Sequence, residues 1–85
     1  MEKKNRRISK RQAADRLLDM LLQGIYKGAT ENIQKLFGKA MELSSNGDFY
    51  NAAKKADEGI FYCFGKDSKE HSEARDMLVR AGFRW

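Results

Sequence analysis

Apolar and polar positions alternate with a helical period in four stretches of this chain, and the third is the most regular. Between Asn46 and Phe64 the apolar or small residues Phe49, Ala52, Ala53, Ala56, Gly59, Ile60, Cys63 and Phe64 follow a three–four spacing, which on a 3.6-residue period draws one continuous stripe down a helix. Most members of the stripe are small. A partner helix is therefore expected to approach closely along Ala52, Ala56 and Gly59, while Phe49, Ile60 and Phe64 supply bulk at the two ends. The pattern predicts the inner helix of a bundle.

The flanking stretches supply its neighbours. Ile8-Ser9-Lys10-Arg11-Gln12 reads as a helix start: Ser9 caps the free amides, Gln12 sits at the reciprocal capping-box position, and Ile8 staples onto Ala13. The apolar residues that follow, Ala13, Ala14, Leu17, Leu18, Met20, Leu21, Leu22, Ile25 and Tyr26, spread wider than one neighbouring helix needs. Either this first helix packs on two sides or it keeps an exposed strip for a partner. Gly28 and Thr30 then end one helix and cap the next. A second helix over about 31–45 carries Ile33, Leu36, Phe37, Ala40 and Met41, with Leu43 at the edge. Ser44 to Gly47 has turn composition and Asp48 caps the third helix. Gly65 is the expected stop, Asp67 the next cap with Glu70 reciprocating, and a last helix over about 68–81 presents Ala74, Met77, Leu78 and Ala81. Connections this short leave no chain for a crossover. The expected fold is all-α, a compact bundle of about four short antiparallel helices, with residues 1–8 as a flexible basic arm and 9–85 as a single helical domain.

Composition narrows the class. The 85 residues are 41% hydrophobic and 34% charged, too apolar for a disordered chain and too polar for a membrane protein. No apolar run approaches the roughly 18 residues of a membrane span, and the basic start has no apolar signal region after it. A soluble, cytoplasmic protein is expected, with no membrane partner. Proline is absent, and the single cysteine, Cys63, lies on the apolar stripe, where it reads as a small buried hydrophobe. Charge is unevenly placed. Residues 1–16 hold seven basic and two acidic side chains, whereas the other 69 hold ten of each, so the whole net charge of +5 belongs to the arm and the start of the first helix.

The second and third helices together resemble a single tetratricopeptide-repeat hairpin over residues 31–64. The residues that carry the resemblance are the turn Gly47-Asp48-Phe49, Ala52 after it, Ala40 on the first helix, and Gly59 with Ile60 on the second. Leu36 stands where that family has tryptophan, Lys39 where it has leucine, Ala56 where it has an aromatic, and no proline follows. No second copy is visible, and repeat arrays need neighbours to bury their faces. The resemblance implies a TPR-like hairpin and protein binding.

Candidate chemistry is sparse. His71 is the only histidine and lies beside Glu70 and Glu73; it reads as solvent-exposed, and Asp57 with Glu58 reads as solvated helix surface. No catalytic, metal-binding or cofactor constellation is expected, and the chain reads as non-enzymatic. Two binding surfaces remain. Tyr50 and Phe61, eleven residues apart, share a face of the third helix away from the main stripe; with Phe83 and Trp85 they form a candidate aromatic patch for a protein partner. Arg6, Arg7, Lys10, Arg11 and Arg16 are positioned to track a nucleic-acid phosphate backbone. A helix-turn-helix reading of Ser9 to Ala14 fails, since the helical pattern continues through Leu22. The function expected is an adaptor or inhibitor-like accessory factor, of the kind found on phages and other mobile elements; a nucleic-acid regulator is the alternative, and self-association is compatible with both.

Overall fold

The computed structural model describes residues 8 to 83. It contains four α-helices among the described residues: α1 Lys10–Tyr26, α2 Glu31–Ser45, α3 Phe49–Phe64 and α4 Lys69–Arg80. The helix with the regular stripe, α3, is in contact with all three others. Its residues Ala52, Ala53, Ala56, Gly59 and Ile60 are buried, and Phe49, Cys63 and Phe64 pack against the core from its edges.

Small side chains on α3 let α1 come close. A Cβ placed on Gly59 would lie 2.7 Å from Leu21 Cδ2; one placed on Gly24 would overlap Cys63 Sγ and stand 2.9 Å from Phe64 Cζ. Leu21 therefore fills the space that Gly59 leaves. These pairings match the middle and end of α1 with the middle and end of α3, so the two helices run parallel. By contrast, α2 sets its start against the end of α3, with Ile33 and Leu36 near Glu58 and Tyr62. Helix α4 does the same, with His71 beside Phe61 and Arg75 beside Asp57. Sequential helices are thus antiparallel, as short connections require.

The helix ends follow local chemistry. Ser9 Oγ accepts from Gln12 N–H and Gln12 Oε1 accepts from Ser9 N–H, both at 3.0 Å, which closes the expected capping box. Ile8 packs against the core, and its N–H donates to the Arg80 carbonyl at 3.3 Å. The entrance to α1 is thereby tied to the exit of α4. Thr30 and Asp48 cap α2 and α3 as expected. The cap of α4 is Ser68 instead of Asp67: its Oγ accepts from His71 N–H at 3.1 Å, and its hydroxyl donates to Gly65 O at 2.8 Å. Only Ser68 satisfies the helix and the preceding turn together, so the start is shifted by one and Glu70 has no reciprocal role.

The breadth of the apolar set on α1 has two outcomes at once. Leu17 and Leu21 are fully buried and Leu18 nearly so, because α3, α2 and α4 all contact this helix. Met20, Leu22 and Ile25 stay half-buried and Tyr26 is 77% exposed, so a strip is also left open. No helix among the described residues is long and apolar enough to cross a membrane.

Two glycine substitutions test the close approach. Alanine normally stabilises a helix interior by about 1 kcal/mol over glycine, and Gly38, with open space around it, should show that gain in urea unfolding. Gly59→Ala should instead lose about 1–3 kcal/mol, since the added methyl drives into Leu21.

Candidate functional site

The candidate aromatic patch is largely consumed by the fold. Tyr50 stacks on Phe83 with ring centroids 5.1 Å apart and planes 6° from parallel. Phe83 is buried at 6% exposure, and its N–H donates to the Leu78 carbonyl at 3.0 Å. It is a core residue, and the expectation that it lies on a docking surface is corrected: after Gly82 reverses the chain, Phe83 folds back to close the space beneath α3. Phe61 is half-buried, its ring edge-to-face with His71 at 5.4 Å. Trp85 lies outside the described residues.

Of the basic candidates, Arg6 and Arg7 also lie outside the described residues. Lys10 sets its ammonium 5.8 Å from the Phe83 ring, an attraction between cation and π face. Arg16 shares a surface recess with Glu73, Asp76 and Arg80 of α4, where local acids compete with any phosphate. Arg11 is exposed.

A charge cluster that the periodicity did not flag lies between α3 and α4. Asp57 is 7% exposed, and its Oδ2 stands 3.3 Å from Arg75 Nε while its Oδ1 faces His71 Nε2 at 3.6 Å. The readings of Asp57 as solvated surface and of His71 as exposed are both corrected: α4 covers Asp57, and His71, carried on α4, turns its side chain in against Asp57 and Phe61 of α3. The signal was present: Asp57 falls four residues after Ala53 and three before Ile60, inside the apolar stripe. Burial pushes the Asp57 carboxyl above its ordinary value, against the lowering effect of the Arg75 and His71 charges. His71 Nδ1 lies 3.1 Å from the Lys66 carbonyl oxygen. Both ring nitrogens thus face the protein's own groups, and Nε2 is shielded from solvent. Burial also raises the Cys63 thiol above its ordinary value, against the lowering effect of the Lys27 charge. Among the described residues no group of three His, Cys, Asp or Glu side chains gathers as a metal site.

An open apolar surface appears where α1 and α2 diverge over α3. Leu18 and Leu22 of α1 face Phe37 and Met41 of α2 across a groove, with Asp15 and Asp19 on its α1 rim. Met41 is 46% exposed, and Phe37 and Leu22 are half-buried. Neither aspartate has an ion-pair partner among the described residues. The two stand four residues apart on α1, so they make an acidic edge in a chain that is basic overall. A second groove, between α2 and α3, is lined by Ile33, Leu36 and Tyr62 with Lys35 and Glu58; its charges are mixed and set no preference.

Truncation separates core from docking roles. Phe83→Ala should cost about 3–5 kcal/mol of stability, visible as a lower urea midpoint, whereas loss of an exposed docking residue would leave that midpoint within about 0.5 kcal/mol of the parent.

No protein-family model, curated protein or solved structure matches this chain.

Proposed function

We propose that this protein acts without catalysis, in the cytoplasm, by binding another protein in the groove between α1 and α2. The observation that carries the reading is the juxtaposition of Leu18, Leu22, Phe37 and Met41 with Asp15 and Asp19, whose carboxylates have no ion-pair partner among the described residues. An amphipathic helix is the natural occupant of such a groove. It would lay an apolar face along the four side chains and set lysine or arginine against the acidic rim. Methionine suits this role because its flexible, polarizable side chain adapts to a partner's shape. The TPR-like character proposed for the α2–α3 hairpin fits the same use, a rigid helical scaffold that presents one face. An adaptor or inhibitor-like accessory factor, of the kind found on phages and other mobile elements, matches a small helical bundle that presents an apolar groove.

Nucleic-acid binding through the basic start is the second reading, and the charge distribution favours it: all of the net charge of +5 falls in residues 1–16. Three of its five candidate residues are described, and two of those, Lys10 and Arg16, are engaged by Phe83 or set among acids of α4. That geometry supports the groove as the principal contact and the arm as an accessory one.

Affinity capture tests the two readings together. A protein partner bound in the groove should survive nuclease and high salt, and Met41→Asp should reduce its capture about tenfold or more while the helical circular dichroism stays unchanged. Capture that is unaltered by Met41→Asp, or that vanishes with nuclease, overturns the groove assignment.

A further inference from the structure

His71 stands between two hydrogen-bond acceptors. Its Nδ1 is 3.1 Å from the Lys66 carbonyl oxygen and its Nε2 faces Asp57 Oδ1 at 3.6 Å. The two side chains are 11% and 10% exposed, and neither Nε2 nor Oδ1 has a hydrogen-bond partner among the described residues. A neutral imidazole carries one N–H, so it can satisfy one of these acceptors and must turn a lone pair toward the other. With the hydrogen on Nδ1, the bare Nε2 opposes the carboxylate. With the hydrogen on Nε2, the bare Nδ1 opposes the carbonyl. Two arrangements satisfy both sides: an imidazolium facing ionised Asp57, or an Nδ1–H imidazole that accepts from a protonated Asp57. Each holds one proton more than a neutral histidine beside an ionised aspartate.

We propose that Asp57 and His71 hold one proton between them in the folded protein, and that this shared proton fastens α4 to α3. The proton belongs to the pair and not to either residue. Its surroundings are defined. On α4, Arg75 engages the other carboxylate oxygen; on α3, Lys54 and Glu58 flank the cluster, with Glu58 held by Lys55 at 3.7 Å. Lys66, from the connection, contributes its carbonyl. The buried residues of α1 and α2 in the core are the apolar Ala13, Ala14, Leu17, Leu18, Leu21, Ile33 and Ala40 and Gly24. Burial of Asp57 acts in the same direction, favouring the protonated form. Folding thus retains a proton that the unfolded chain releases. Its stabilisation is present at low pH and is lost as pH rises and the folded pair gives up that proton. Docking of α4 is in this way sensitive to pH near neutrality.

The full chain can be examined by nitrogen-resolved NMR of His71 and by urea unfolding as a function of pH. At about pH 7.5, where a free histidine is neutral, both ring nitrogens should still show a bound or shared proton. The folding equilibrium constant should fall on the order of tenfold between about pH 5.5 and 8. In Asp57→Asn the amide N–H donates to Nε2 and its oxygen accepts from Arg75, so neutral His71 is satisfied without an extra proton. That variant should flatten the dependence to less than about twofold. His71 is the chain's only histidine, and the comparison between the two proteins cancels contributions from the terminal amine. A neutral His71 with one bare nitrogen at pH 7.5 in the parent overturns the proposal, and so does an equal pH slope in Asp57→Asn. Should the variant fail to fold, the NMR result on the parent decides.

Discussion

The contact of Leu21 with Gly59 is the constraint from which the rest of the bundle follows. Because α3 carries alanine and glycine along its buried face, α1 seats within a distance that any larger residue would forbid. Leu17 and Leu21 are then fully enclosed. Close seating of α1 on α3 also fixes where α2 must lie. It packs on α3 and meets α1 less extensively, so the two outer helices diverge and leave the groove lined by Leu18, Leu22, Phe37 and Met41. The proposed docking surface is thus a consequence of how the core is packed: Leu18 closes its floor, and Leu22 of α1 with Phe37 and Met41 of α2 stay partly uncovered.

The other side of α3 is held by different means. There α4 contributes few apolar side chains, with Ala74 and Leu78 as its buried residues. Its position is secured by Ser68 at the cap, the Ile8 link to Arg80, and the cluster of Asp57, His71 and Arg75. Polar interactions at a buried site add little net stability compared with apolar packing, but they are costly to leave incomplete. An attachment of this kind is the part of the fold most responsive to solution conditions. The aromatic end of the chain adds a second fastening, with Phe83 stacked under Tyr50 and approached by Lys10, so α1, α3 and the exit of α4 converge at one end of the molecule.

Much of the architecture was legible in the sequence because it rests on local signals. The stripe on α3, the capping box at Ser9 and Gln12, and the caps at Thr30 and Asp48 each depend on residues within one or two turns. What was not legible depends on the placement of α4. Asp57 lies within the apolar stripe, yet its charge suggested surface, and only the presence of Arg75 and His71 across the interface makes its burial tolerable. Asp67 and Ser68 are equally good caps by type, and the turn at Gly65 decides between them. Phe83 resembled a free aromatic tail, because a reversal at Gly82 is needed to bring it under Tyr50. The groove was half visible, as an apolar surplus on α1, but Met41 and Phe37 belonged by periodicity to the apolar stripe of α2, which does not itself say which members stay open.

The seating of α1 against α3 underlies both the core and the groove, and methyl-resolved NMR reads that contact directly. Strong nuclear Overhauser effects from both Leu21 δ-methyls to the Gly59 α-protons, with matching effects between Gly24 and the Phe64 ring, are the expected result. Their absence in a folded, helical protein would mean that α1 packs elsewhere on α3; the divergence of α1 from α2, and the groove that depends on it, would then fall together.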